Sequence, residues 1–190
     1  MVFSMAANGV RRFHPWSKTL SLGMANLLPR LYRRLLAVFA VMTIFSSAAH
    51  AQMADFILVE KAKRLMTLYA GGKPVKTYTI ALGGAPVGHK TTQGDNRTPE
   101  GKYRIDFKNN KSQFYLSLRI SYPNAADKAQ ARKRGVSAGG DIFIHGQPRL
   151  STRKSKIPYD WTLGCIAVSN AEIEEIWQKV AIGTIIEIKP

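Results

Sequence analysis

Short apolar runs, most of them broken by polar residues at every second position, recur from Phe56 to Ile188. Phe56-Ile57-Leu58-Val59 and Leu65-Met66-Thr67-Leu68-Tyr69 flank the charged Lys61-Ala62-Lys63-Arg64, which predicts two strands about a turn. Val75 to Leu82 mixes β-branched and aromatic residues and reads as a third strand. Gly83 to Gly101 is rich in Gly and Pro and predicts a long loop. Tyr103 to Phe107 and Phe114 to Tyr122 alternate apolar with polar positions, as half-buried strands do. Ala125 to Arg134, followed by Gly135, predicts a short helix, and Asp141-Ile142-Phe143-Ile144-His145 a compact buried strand. Asn170 is the expected N-cap of a second helix, with Glu172, Glu174 and Glu175 in its early turns and its end near Val180. Thr184 to Ile188 reads as a closing strand. The sum is a mostly β fold, a β-sandwich or barrel-like domain with one or two short helices.

Composition narrows the chemistry. The chain has 190 residues, 45% hydrophobic and 21% charged, values of a globular domain with a short appendage. Its one cysteine, Cys165, excludes an intrachain disulfide and any zinc site needing two thiolates from this chain. No carboxylate cluster has metal-ligand spacing and no glycine-rich phosphate loop follows a strand, so neither a metal nor a cofactor is expected.

The start of the chain alters the charge picture. Arg30, Arg33 and Arg34 precede the apolar run Leu35–Phe45, and Ser46-Ser47-Ala48-Ala49-His50-Ala51 follows it. A basic segment, an apolar segment and an Ala-x-Ala end describe a secretory signal peptide over residues 1–51, with a mature domain over 52–190. A start at Met24 would give that leader an ordinary length. The apolar run is shorter than the ~20 residues of a membrane span, so no stable span is expected after cleavage. Of the 28 basic and 12 acidic residues, residues 1–51 hold six basic and no acidic ones; the remainder carries 22 and 12, a net of +10. An exported basic protein points away from nucleic acid and toward an anionic envelope polymer. The surplus gathers in Arg132-Lys133-Arg134 and in Arg149 to Lys156.

An unpaired thiol in an oxidising compartment is a liability unless it is used. Cys165 follows Gly164, which permits close approach of backbone and ligand, and the helix beginning near Asn170 is expected to favour a thiolate there. After loss of the leader only His89 and His145 remain as bases. His145 ends a strand and precedes Gly146, a place from which it can project into a cleft; His89 sits in the long loop, where it orders that loop or meets substrate. A Cys–His pair suffices for covalent acyl transfer, with the Gly164 and Cys165 amides as an oxyanion hole.

These residues carry a resemblance. His145-Gly146, a spacer from Gln147 to Trp161, then Thr162-Leu163-Gly164-Cys165-Ile166 resembles the signature of the L,D-transpeptidase (YkuD-like) catalytic domain. Gly94-Asp95-Asn96-Arg97-Thr98-Pro99-Glu100-Gly101-Lys102-Tyr103 resembles that family's second block. Leu163 stands where the family usually has a histidine, and Ala167 where many members have Asn or Arg; the run Asp160 to Val168 resembles a subgroup sharing both changes.

The resemblance implies Cys165 as nucleophile, His145 as general base and later proton donor, the Gly146 carbonyl as orienter of the imidazole, and Gly164 with Cys165 as oxyanion donors. It also implies Thr162 as a substrate-binding or loop-supporting residue; His89, from its place in the long loop, and Trp161 are further candidates for substrate binding. The implied activity is periplasmic peptidoglycan chemistry: attack on the diaminopimelate–D-Ala carbonyl of a tetrapeptide stem, a thioester, and transfer to an amine. That amine is a second stem peptide or a lipoprotein lysine. Two alternatives stand beside it: a carboxypeptidase or hydrolase on the same scaffold, and a non-catalytic basic module that binds the cell wall.

Overall fold

The computed structural model describes residues 52–148 and 159–190. The leader expected over 1–51 and the basic run Arg149–Lys156 lie outside these residues. Among the described residues are eight strands and two helices: β1 (Ala54–Glu60), β2 (Leu65–Ala70), β3 (Lys73–Thr79), β4 (Gly101–Asn109), β5 (Ser117–Ile120), α1 (Ala125–Lys133), β6 (Phe143–His145), β7 (Ile166–Ala167), α2 (Asn170–Lys179) and β8 (Val180–Lys189).

The strands form one mixed sheet in the order β3-β2-β1-β8-β4-β5-β6-β7. β1–β8 and β6–β7 pair in parallel and the other neighbours antiparallel. Period-2 patterning decides which way β1, β4 and β8 face: Ile57, Val59, Tyr103, Ile105, Ile186 and Ile188 point into the core and Ile185 faces outward, while Phe107, two positions after Ile105, is exposed because the β4–β5 register shifts between them. β5, β6 and β7 are buried almost throughout. α2 packs on β5 and β8 and adds Ile173 and Ile176 to the same core.

The sheet curls until its two edges communicate. Chain leaving edge strand β3 crosses to the opposite edge, where Ala81 and Ala167 of β7 exchange amide bonds of 2.9 and 2.8 Å. Gly83 then bridges Thr162. This crossing makes the mostly β fold barrel-like, and it clamps the residues just before β7 between β6 and segment 81–84.

Several boundaries differ from the sequence reading. The α2 N-cap is Ser169, one residue before Asn170: Ser169 is extended, its Oγ accepts the Glu172 amide, and Glu172 accepts the Ser169 amide in return. Asn170 is released for another task, accepting the Gln147 amide at 2.8 Å. The strand expected from Asp141 begins at Phe143, because Asp141 has φ +55 and turns the chain. Phe114–Tyr122 shortens to β5 for a similar reason, with Tyr115 at φ +71. The third strand ends at Thr79, where the chain departs for the opposite edge.

Candidate active site

Parallel pairing of β6 with β7 sets the site. Ile144 lies level with Ile166 and His145 level with Ala167. Carried back one residue, this register places Cys165 level with Phe143, two positions short of His145. Positions two apart share a face of the sheet, so the thiol and the imidazole emerge on the same side. Both line a cavity of about 320 Å³, together with Phe114, Trp161, Thr162 and Leu163.

His145 is buried and oriented. Its Nδ1 lies 2.7 Å from the Gly146 carbonyl, which can only accept, so Nδ1 carries the proton and Nε2 keeps its lone pair. Phe114 stacks at 4.4 Å between ring centroids, and Trp161 meets the ring edge-on at 5.7 Å. Burial pushes the His145 pKa down to about 4 from the usual 6.5, against the smaller raising effect of the Gly146 carbonyl. Gly146 has no room for a side chain: a Cβ there would lie 2.6 Å from Asn170 Oδ1 and 3.0 Å from the Phe114 carbonyl.

The thiol is held by β6 and the residues before it. Phe143 N–H donates to Sγ at 3.4 Å, and Sγ donates to the Asp141 carbonyl at 3.6 Å. Burial raises the Cys165 pKa; the Phe143 amide lowers it, the Asp141 carboxylate raises it and Lys90 lowers it, and the net direction is up. The expectation of a thiol more acidic than a free one is therefore corrected. The cause is local: the thiol leaves water, and the first turn of α2 is occupied by its own capping box and the Glu172 carboxylate. At neutral pH the resting pair is a thiol and an uncharged imidazole.

The loop carrying the thiol is tightly fastened. Thr162 Oγ1 donates to the Cys165 carbonyl at 2.7 Å and accepts the Gly164 amide at 3.2 Å. That bond commits the Gly164 amide, one of the two amides expected as oxyanion donors, to Thr162. It also uses both hydroxyl functions of Thr162, which is buried and supports the loop. Gly164 sits at φ +132, and a Cβ there would lie 2.6 Å from the Arg97 carbonyl. The block Gly94–Tyr103 thus packs directly against the loop that carries Cys165.

His89 does not line the cavity. Its Nδ1 accepts the Glu100 amide at 3.0 Å and its Nε2 faces Asp127 Oδ1 at 3.3 Å, so it ties the long loop to α1. Of the two roles the sequence allowed it, the structure gives it loop ordering. Trp161 does line the cavity, and its buried Nε1–H has no hydrogen-bond partner among the described residues.

Sequence reasoning missed the supports. Asp95 accepts the amides of Thr91, Thr92 and Arg97 and the Lys90 ammonium. Burial pushes its carboxyl up, but the Lys90 bond and the three amides outweigh that and hold it at about 2. Lys61, buried, fastens the same loop through Gly88, Thr98 and Glu100. Asp160 binds the Arg64 guanidinium and the Leu82 amide, anchoring Trp161 to the β1–β2 turn. Asp95 was visible as a motif position; buried lysines leave no signal in composition. A second, polar cavity of about 580 Å³ adjoins the first, sharing Gly140, Asp141 and Leu163 and lined also by Lys90, Gln93, Asn96 and Ser137.

Residues 54–188 match the model of the YkuD family, the L,D-transpeptidase catalytic domain. The chain belongs to this family. Among its L,D-transpeptidase relatives is YafK of Escherichia coli strain K12, whose designation as an L,D-transpeptidase is provisional: 30% identity over 131 residues, covering 66% of this chain and 46% of YafK. The helical cell shape determining protein Pgp2 of Campylobacter jejuni, solved as a K307A mutant, is 28% identical with a TM-score of 0.58, over 72% of this chain and 47% of Pgp2. Bd1075 of Bdellovibrio bacteriovorus shares the fold at 23% identity and a TM-score of 0.51, over 75% of this chain and 50% of that one. The chain spans about half the length of these relatives. Leu163, in place of the usual family histidine, is 78% exposed between the two cavities, and Ala167 is fully buried in the ladder.

Proposed function

We propose that the protein is a peptidoglycan L,D-transpeptidase in which Cys165 forms a thioester with a stem peptide and transfers the acyl group to an amine. One observation carries the reading: in a chain of this family, the lone thiol and an imidazole with a free Nε2 share one cavity.

The donor is a tetrapeptide stem with its diaminopimelate–D-Ala carbonyl at Sγ. His145 Nε2 takes the thiol proton as Sγ attacks. The resting thiol is protonated, so the base is needed in this step. The tetrahedral oxygen accepts the Cys165 amide, a donor worth roughly 3 kcal/mol at the transition state. Nε2–H then protonates the departing D-Ala nitrogen, the C–N bond breaks, and a thioester remains. An acceptor amine attacks that carbonyl, gives its proton to Nε2, and expels the thiolate, which recovers the proton. Gly146 keeps the imidazole in the tautomer both steps require. The unpartnered indole N–H of Trp161 is a donor for the stem, since a buried donor without an acceptor is costly until one arrives.

Transpeptidation by thioester exchange needs no nucleotide, which suits an exported enzyme. We assign residues 1–51 as the leader and the periplasm as the site of action, with wall polymer and its stem peptides as partners. Cell wall organisation and cell shape are the processes this serves, and Pgp2 is itself described as a cell shape determinant. Incubation with a disaccharide-tetrapeptide and an amine acceptor tests the reading. We expect release of D-Ala and an amide product by mass spectrometry, both lost in Cys165→Ala. Undiminished turnover in that variant overturns it.

A further inference from the structure

The polar cavity beside the thiol holds a carboxylate that pairs with no cation among the described residues. Lys90, in its wall, gives its ammonium to Asp95 at 2.7 Å and the Thr92 carbonyl at 3.1 Å. Gln93, Asn96 and Ser137 are neutral. Asp141 is exposed, lines both cavities, and forms no ion pair among the described residues. Arg119, which feels its field, is bonded instead to Asp106 at 2.8 Å.

A carboxylate at this place works against the first half of the reaction, because it opposes ionisation of Cys165. Asp141 also occupies an uncommon backbone state, φ +55, from which its carbonyl accepts a hydrogen bond from the thiol. The carbonyl alone would serve the thiol; an asparagine adopts the same backbone conformation as readily. The negative charge therefore calls for a separate account.

We propose that the Asp141 carboxylate sets acceptor specificity: it gathers a cationic amine in the polar cavity and so favours aminolysis of the thioester over its hydrolysis. This rests on the acyl-transfer reading above. The ligand class is a primary ammonium on a flexible chain, the chemistry shared by a diaminopimelate side chain and a lysine. The ammonium sheds one proton to solvent. The free amine attacks the thioester carbonyl, the C–N bond forms, the C–S bond breaks, and the second proton passes through His145 Nε2 to the departing Sγ. Water on the same route yields a carboxylic acid and the same thiol.

Asp141→Asn in the full mature chain tests this, since it keeps shape and backbone and removes the charge. With a tetrapeptide donor and an amine acceptor, we expect the amide-to-acid product ratio to fall about fivefold, the upper range for a solvent-facing charge pair. The dependence of that ratio on ionic strength should disappear, and alkylation of Cys165 by iodoacetamide should become faster. An unchanged ratio with unchanged salt dependence overturns the proposal, as does a parallel loss of alkylation and transfer at constant ratio, the mark of a structural role. Should the variant not fold, wild-type protein decides the matter. Its preference for the amine over hydroxylamine, a neutral nucleophile at pH 7, must weaken with added salt; constancy overturns the proposal. Wild-type protein that releases no D-Ala and forms no thioester overturns the acyl-transfer reading itself, a result read apart from any ratio.

Discussion

His145 and Cys165 meet as neutral partners, and burial is the reason on both sides. Phe114 and Trp161 exclude water from the imidazole and hold its pKa at about 4. The thiol, raised by the same withdrawal from water, holds its proton at neutral pH. If His145 is the base, as proposed, it is competent wherever it is uncharged, which extends well below the usual imidazole range. kcat/KM for the stem peptide should rise with pH through an acid limb near 4 and then run flat across neutrality, measured between pH 3.5 and 8. An acid limb near 6.5 would mean a solvated imidazole and a different site from the one described. Residue type and spacing made Cys165 and His145 legible as a pair in the sequence. Their protonation was not legible, because it depends on Phe114, which lies 31 positions before His145 and belongs to no motif.

At the scale of elements, β6 carries the imidazole and the first turn of α2 fixes the chain just beyond it. Ser169 and Glu172 fix where α2 begins, Asn170 reaches back to the Gln147 amide, and Ile173 closes on Gly146. Gly146→Ala would drive a Cβ against Asn170 and the Phe114 backbone, so it should destabilise the fold by roughly 1–3 kcal/mol and depress turnover further by moving the carbonyl that orients His145. Denaturant unfolding and stem-peptide kinetics measure the two effects; a variant normal in both would show that this contact does not position the ring. Period-2 alternation made the strands legible, and the acidic first turn made α2 legible. The ends were harder. Asn and Ser adjoin at 169–170 and both cap well, and only the extended backbone of Ser169 selects between them. The turn at Asp141 was hidden for a similar reason: a non-glycine residue at positive φ leaves no mark in an apolar run.

The described domain joins two edges of one sheet across the loop that carries Cys165, so site and fold titrate together. In His145 the folded state holds the pKa below its usual value. The unfolded chain then binds the extra proton between pH 6.5 and 4, and stability falls as pH falls through that window, by on the order of 3 kcal/mol. Asp95, held at about 2, contributes stability present above the ordinary carboxylate range and lost as pH falls from about 4 toward 2. Urea midpoints at pH 7, 5 and 3 should decline in two stages, and His145→Gln should remove the first. A midpoint constant from pH 7 to 4.5 would contradict the burial of a neutral His145. The barrel-like closure lay beyond sequence reading, because Ala81 and Ala167 are small apolar residues with nothing in their identity to say that they bond each other across the sheet.

The most direct test of the Cys165–His145 pairing is the intact mass of the protein, quenched in the first seconds after mixing with a disaccharide-tetrapeptide, for wild type and His145→Gln side by side. Wild type should carry a single adduct of the stem less D-Ala, mapped by peptide digestion to Cys165, and the variant should acylate at least about a hundredfold more slowly. An adduct on another residue, or equal acylation of both proteins, would contradict it.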